Sequence, residues 1–189
     1  MATTSVAQLL AGIDGLSLTA PRDGFAGMTF RGVLLNGQPL RVKLADDMKS
    51  ITLPFAPSVF KGNGDEPRKG IVFSVLPQVV EAMAELEDAC RQMLEDSNPR
   101  VQALWCSCIK PGDKYASTLK AKINVAGPKP ANFYNVACEA VPPPVEWQRL
   151  PVNAVIEVRG CYIQRQSIGM MLEVTDLQYG ELARERCPF

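Results

Sequence analysis

Residues 31–43 read RGVLLNGQPLRVK, two apolar-polar runs joined at Asn36-Gly37. Both joining residues tolerate the positive φ angles of a type I′ turn, which makes this pair the strongest short-range hairpin signal a sequence offers. With a two-residue loop, Gly32 stands opposite Arg41, Phe30 opposite Lys43, and Val33 faces Leu40. One face of the hairpin is then aliphatic, and the other carries Phe30, Arg41 and Lys43 together. A one-residue slip in register would exchange the faces. An aromatic ring among cations on a strand offers a stacking platform for bases and charge for phosphates. The plainer alternative is a half-exposed hairpin with solvated Arg and Lys.

Outward from this stretch, strands dominate the chain. A short amphipathic helix over residues 6–13 precedes strands at 28–35, 38–44, 50–54 and 70–76. From residue 77 to 96 the pattern changes. Val79, Met83, Leu86, Cys90 and Met93 recur at intervals of four and three, with Glu81, Glu85, Glu87, Asp88 and Arg91 between them. That is an amphipathic helix with Pro77 near its start and a stripe of core residues facing a sheet. Ser97-Asn98-Pro99 ends it, and a shorter helix follows over 99–105. Strands return at 119–125 and 132–139. Pro142-Pro143-Pro144 is a stiff extended connector. Residues 154–164 and 170–179 form a terminal hairpin whose connection contains Gly169. Strands, one long helix and more strands indicate a mainly β fold with inserted α, a small barrel or sandwich carrying a helical insertion at 77–105. The whole is expected to be a single elaborated domain over 1–189, with an N-terminal segment (1–15) and a C-terminal tail (181–189).

Composition narrows the chemistry. The 189 residues are 47% hydrophobic and 21% charged, as in a globular protein with a real core. No apolar run is long enough to span a bilayer, and the start lacks a signal-peptide pattern, so a soluble intracellular protein is expected. Twenty Lys and Arg balance twenty Asp and Glu. This zero net charge counts against coating duplex DNA by charge alone, though it leaves room for one basic groove. The six cysteines read as reduced thiols, and Cys161 in an apolar strand as a small buried hydrophobe. There is no histidine. Ser-His-Asp and Cys-His catalysis and imidazole zinc sites are therefore excluded, and Cys106-Ser107-Cys108 is too closely spaced for a four-cysteine zinc site. With no Asp/Glu cluster either, neither an enzyme nor a bound metal or cofactor is expected.

Basic residues recur on strands with period two. Lys120 and Lys122 share a face of LKAKINV while Leu119, Ala121 and Ile123 take the other. Aromatics interleave with them: Tyr115 follows Lys114, Phe133-Tyr134 follow Lys129, and Tyr162 precedes Arg165. In residues 57–69, Gly62 and Gly64 free the backbone while Lys61, Arg68 and Lys69 supply charge. That stretch lacks the spacing of a P-loop and reads as a lid over a nucleic-acid groove or as a solvated loop. The expected binding set is Phe30, Arg41, Lys43, Lys61, Arg68, Lys69, Lys120 and Lys122, with Tyr115, Phe133, Tyr134 and Tyr162 as stacking rings.

PSVFKGNG (57–64), PRK (67–69), IVFSVLP (71–77), the acidic amphipathic helix and VNAVIEVRGCYIQRQSIGMMLEVTDLQY (152–179) together resemble single-stranded DNA-binding proteins of large DNA viruses and phages. In that group an OB-fold barrel carries inserted helices. Its last hairpin matches here at Ile156, Val158, Tyr162, Gly169, Leu172 and Val174. The resemblance implies an OB-like antiparallel barrel and sequence-independent binding of single-stranded DNA during replication or recombination. It also implies replication proteins and further copies of the chain as partners. The chain ends in Pro188-Phe189, similar to bacterial single-stranded DNA-binding proteins. Their tails are acidic, whereas Ala183-Arg184-Glu185-Arg186-Cys187 is not, so tail-mediated recruitment is not carried over. The alternative function is a structural β-sandwich capsid or assembly protein without enzymatic activity.

Overall fold

Asn36 and Gly37 adopt φ of 50° and 75°, as a type I′ turn requires, in a computed structural model that describes residues 3–24, 27–46, 51–59 and 66–180. Among these residues the strands are β1 (Thr4–Ser5), β2 (Leu16–Leu18), β3 (Arg22–Asp23), β4 (Thr29–Arg31), β5 (Val33–Leu35), β6 (Gln38–Lys43), β7 (Arg68–Ser74), β8 (Trp105–Cys106), β9 (Ile109–Lys110), β10 (Thr118–Asn124), β11 (Asn132–Tyr134), β12 (Val152–Ile163) and β13 (Ile168–Tyr179). The helices are α1 (Val6–Gly12), α2 (Pro77–Glu95) and α3 (Val101–Leu104). No helix among the described residues is long and apolar enough to cross a membrane.

β6, β12, β13, β10 and β7 are neighbours in that order. Thr52 bridges both Ser74 at the end of β7 and Pro151 just before β12, and so closes the series into a ring. Ser74 N–H donates to Thr52 O at 2.8 Å and Val152 N–H to Ile51 O at 3.0 Å along this seam. Closure removes the open edges that a sheet of this size would otherwise expose. Neighbours in the ring run antiparallel except for the parallel pair β10–β13. The result is an OB-like barrel with α2 and α3 inserted between β7 and β8.

The alternating pattern read from the sequence is the barrel's inside-outside alternation. On β10, Leu119, Ala121 and Ile123 are buried while Lys120 and Lys122 are exposed. On β6, Leu40 and Val42 point in, and Arg41 and Lys43 point out. The helix lies where its spacing placed it, with Pro77 in the first turn. Val79, Met83, Leu86 and Cys90 are fully buried, Leu94 fills the last turn, and Met93 is only partly covered.

One register expectation is corrected. The Asn36-Gly37 loop pairs Leu35 with Gln38 and Leu34 with Pro39, but Phe30 does not stand opposite Lys43. Beyond Gly32 the chain leaves the hairpin, and β4 pairs instead with the far end of β12, where Phe30 faces Tyr162. β12 is long enough to serve two partners, β6 along Val155–Val158 and then β4 along Cys161–Ile163. A register shift between Val158 and Gly160 makes the change of direction, and Gly160 takes φ of 151° there.

Candidate nucleic-acid interface

On the outer face of the barrel, cross-strand pairing lines up Arg41 of β6, Glu157 of β12, Glu173 of β13, Lys122 of β10 and Gly70 of β7. Lys120 lies two residues along β10 on the same face. A groove of about 520 Å³ opens beside this row, lined among others by Phe55, Arg68, Lys120, Lys122, Tyr162 and Met171. Arg68 and Met171 also line a second hollow of about 490 Å³, which adds Arg22, Phe30, Arg159 and Glu173. The two form one track across the face.

Its electrostatics are uneven. Lys120 and Lys122 make no ion pair among the described residues, so their charge is available to an anion. Arg159 bonds Glu157 at 2.6 Å and lies 3.4 Å from Glu173, which Arg68 approaches at 3.8 Å. Gly70 exchanges backbone hydrogen bonds with Ser58 at 2.9 and 2.7 Å, which holds residues 55–58 along the edge of β7. Phe55 thereby stands at the groove rim, 63% exposed. Met171 and the half-buried Tyr162 provide apolar floor. Burial raises the Tyr162 hydroxyl above its ordinary pKa, with the Cys106 thiol adding to the rise, so the phenol stays neutral. Cations around an apolar and aromatic floor suit a polyanion whose flat faces are unpaired.

The barrel superposes on gp2.5, a single-stranded DNA-binding protein encoded by bacteriophage T7, with a TM-score of 0.51 at 9% identity. The match covers 71% of this chain and 84% of that one. The chain shares the fold of a phage single-stranded DNA-binding protein. The single-stranded DNA-binding protein of bacteriophage Enc34, truncated at its C-terminus, aligns with TM-score 0.49 at 12% identity over 89% of this chain and 97% of that one. No protein-family model and no curated protein sequence matches.

Within this phage-type barrel, the residues expected to bind do not share one groove. Arg68, Lys120, Lys122 and Tyr162 come together in the main groove. Phe30 lines the adjoining hollow but is 7% exposed, and the Arg22 guanidinium sits 4.8 Å from its ring centre, so that ring is already capped. Arg41 is tied to Asp176 and Thr175 on the outer row. Lys43 and Tyr134 line a separate hollow further along the strands. Lys69 has the parity of the buried Ile71 and Phe73, so it leaves the face that Arg68 occupies. Phe133 is buried, edge-on to Trp147 at 6.0 Å, and is a core residue rather than a platform. Tyr115 is 87% exposed in the loop between β9 and β10, away from the groove lining. Lys61 lies outside the described residues.

Phe55, Met171 and Arg159 were not in the expected set. Phe55 did carry a signal. An aromatic between Pro54 and Pro57 has neither a helical nor a strand period to take it into a core. Arg159 shares the parity of Glu157 on β12 and meets it at 2.6 Å, so alternation gave its face but not its place beside the groove.

Proposed function

We propose that this protein binds single-stranded DNA without sequence preference along the outer face of β7, β10, β13 and β12, and that it shields strands during replication or recombination. The observation that carries this is the groove itself, with Lys120, Lys122 and Arg68 around Phe55, Tyr162 and Met171. Cations meet the phosphates, and the rings and thioether meet base faces that a duplex hides by stacking. A chain of zero net charge whose groove holds lysines unpaired among the described residues suits a local binder better than a duplex coat. The name of the T7 protein with this fold, a single-stranded DNA-binding protein, supports the same reading. So does ring closure through Thr52, which favours a barrel over the two stacked sheets of a capsid sandwich. The role is binding rather than turnover, with no histidine to serve as acid or base.

The test is a titration of oligo-dT against salt concentration for the wild type and for the Lys120→Ala, Lys122→Ala double variant. Each phosphate contact contributes about −0.7 to the log-log slope for single strands, so the double variant is expected to flatten it by about 1.4. Duplex DNA of equal length is expected to bind more weakly. Wild-type protein that ignores oligo-dT, or a double variant with unchanged slope and affinity, overturns the proposal.

A further inference from the structure

We propose that a hollow of about 240 Å³ beside Lys43 receives one base of the bound strand, with the Asn153 amide reading its edge, Tyr134 contacting its face, and adenine preferred. This rests on single-strand binding by the adjoining face, and adds one base-sensitive position to contacts that are otherwise indifferent to sequence.

Asn153 is the observation that needs a partner. It is 9% exposed, and its Oδ1 is buried with no hydrogen bond. A buried amide oxygen left unmet costs about 1–3 kcal/mol, so an apolar residue of similar size would serve the fold better at this position. Nearby polar groups do not relieve it. The Asp176 carboxylate accepts from Arg41, Thr175 and Asn132, and Gln178 Nε2 donates to Asn135 O at 3.1 Å. The remaining lining is largely apolar, including Ala154 and Val155. The hollow is smaller than a typical pocket for a drug-sized molecule, which suits a single flat ring system.

Asn153 Oδ1 has almost no accessible surface where it stands, so the amide must swing toward the hollow to meet a base. That move frees it from its unmet position and presents an acceptor and a donor side by side. Adenine offers the matching pair at N7 and N6, the edge that asparagine reads best. The hollow also lies on the same face as the main groove. Lys43 pairs with Val155, which pairs with Asp176, in the row next to Arg41, Glu157, Glu173 and Lys122. A strand running from the main groove past Lys122 and Arg41 therefore reaches it without leaving the face. The Lys43 ammonium, 4.0 Å from the Asp46 carboxylate, stands at the edge for the accompanying phosphate.

Affinities for oligo-dA and oligo-dT of equal length, in wild type, Asn153→Leu and Tyr134→Ala, test the assignment. Wild type is expected to prefer oligo-dA. Asn153→Leu should lose about tenfold on oligo-dA, lose less on oligo-dT, and melt no lower than wild type. Tyr134→Ala should weaken both, because stacking tolerates every base. Wild-type affinities retained in Asn153→Leu, or equal losses on both oligonucleotides, overturn the base-reading role. Should Asn153→Leu fail to fold, the Asn153 side-chain amide resonance of the wild type decides. It should shift with oligo-dA and stay in place with an abasic strand; a resonance that does not move with oligo-dA refutes the proposal. Wild-type protein that binds neither oligonucleotide removes the parent reading instead, which keeps the two failures apart.

Discussion

Arg159 Nε lies 3.4 Å from Glu173 Oε2 on the face that also carries Arg68, Lys120 and Lys122. Arg68 approaches the same oxygen at 3.8 Å, and Asn124 Nδ2 donates to the other carboxylate oxygen at 2.9 Å. Glu173 thus holds two guanidinium groups that an incoming phosphate would need, and it repels that phosphate as well. Binding exchanges a carboxylate for a phosphate at each arginine, which limits the gain and keeps the complex reversible. Glu173→Gln keeps the shape and removes the charge. It is expected to tighten oligo-dT binding several-fold, on the order of 1 kcal/mol, and to steepen the salt slope. Weaker binding of the variant in the same titration would show that the carboxylate's orientation of the arginines matters more than its competition.

Phe55 and Phe133 should separate binding from folding. Phe55 is 63% exposed at the groove rim, whereas Phe133 is 6% exposed in the core. Phe55→Ala is expected to cost about 1–3 kcal/mol of binding at every salt concentration, with the slope and melting temperature unchanged. Phe133→Ala is expected to cost about 3–5 kcal/mol of folding stability, and its folded fraction should bind as wild type does. Melting curves beside binding isotherms check both, and the opposite assignment of effects would contradict the placement of the rings.

Much of this fold was legible because one side of each strand or helix had to be buried. The period-two pattern in residues 118–124 and the four-three spacing from Val79 to Cys90 both report that constraint directly. The register past Gly32 was not legible. It depends on β12, which lies more than a hundred residues later and supplies β4 with a better partner than the hairpin does. The burial of Glu87 was not legible for a related reason. It lies among the charges between the core positions of α2, yet it is 4% exposed and accepts from Cys108 N–H at 2.7 Å and Trp105 Nε1 at 3.2 Å. Two donors on a separate segment make its burial tolerable and anchor Cys106 and Ser107, which line the groove, to α2. The sequence carried the cations and rings of the binding face, but their gathering depended on which strands became neighbours. Parity grouped Lys120 with Lys122 correctly and could not say that Lys43 stood over a different hollow.

The thiols give a pH dependence with a definite sign. Burial, with the nearby Glu87 charge adding to it, holds the Cys108 thiol well above its ordinary pKa. Cys90 is raised too, chiefly by its hydrogen bond with Cys161 and by burial. In the unfolded chain both ionise near the usual value of about 8.5. Above that pH the unfolded state binds fewer protons than the folded one, so stability falls as pH rises. This stabilisation is fully present below about pH 8, and each thiol removes up to about 1.4 kcal/mol per pH unit above about pH 9. Chemical denaturation from pH 7 to 10 should show the decline. Cys90, Cys108 and Cys161 are buried while Cys106 and Cys138 are exposed. A thiol reagent should therefore label Cys106 and Cys138 in the native state and the buried three only on unfolding. Stability that holds level to pH 10 would contradict the burial of these thiols.

Gly160 is where β12 changes partners, and a side chain there should be felt locally. An added Cβ would lie 2.2 Å from the Arg31 carbonyl oxygen and 2.7 Å from the Phe30 ring, and φ of 151° is a conformation L side chains rarely adopt. Gly160→Ala must therefore push β4 off β12, at about 1–3 kcal/mol for the backbone strain alone. β4 is short and holds to β12 through Thr29, Phe30 and Arg31, so it should separate before the ring of β6, β12, β13, β10 and β7 opens. The expected result is faster amide exchange confined to β4 and β3, a lower denaturation midpoint, and a near-normal salt slope, since Lys120 and Lys122 stand on β10. Loss of β4 should also uncap the Phe30 ring from Arg22 and alter the hollow that Arg159 shares. Unchanged exchange at Thr29–Arg31 and an unchanged midpoint would show that β12 accommodates a side chain at this turn, against the close approach seen here.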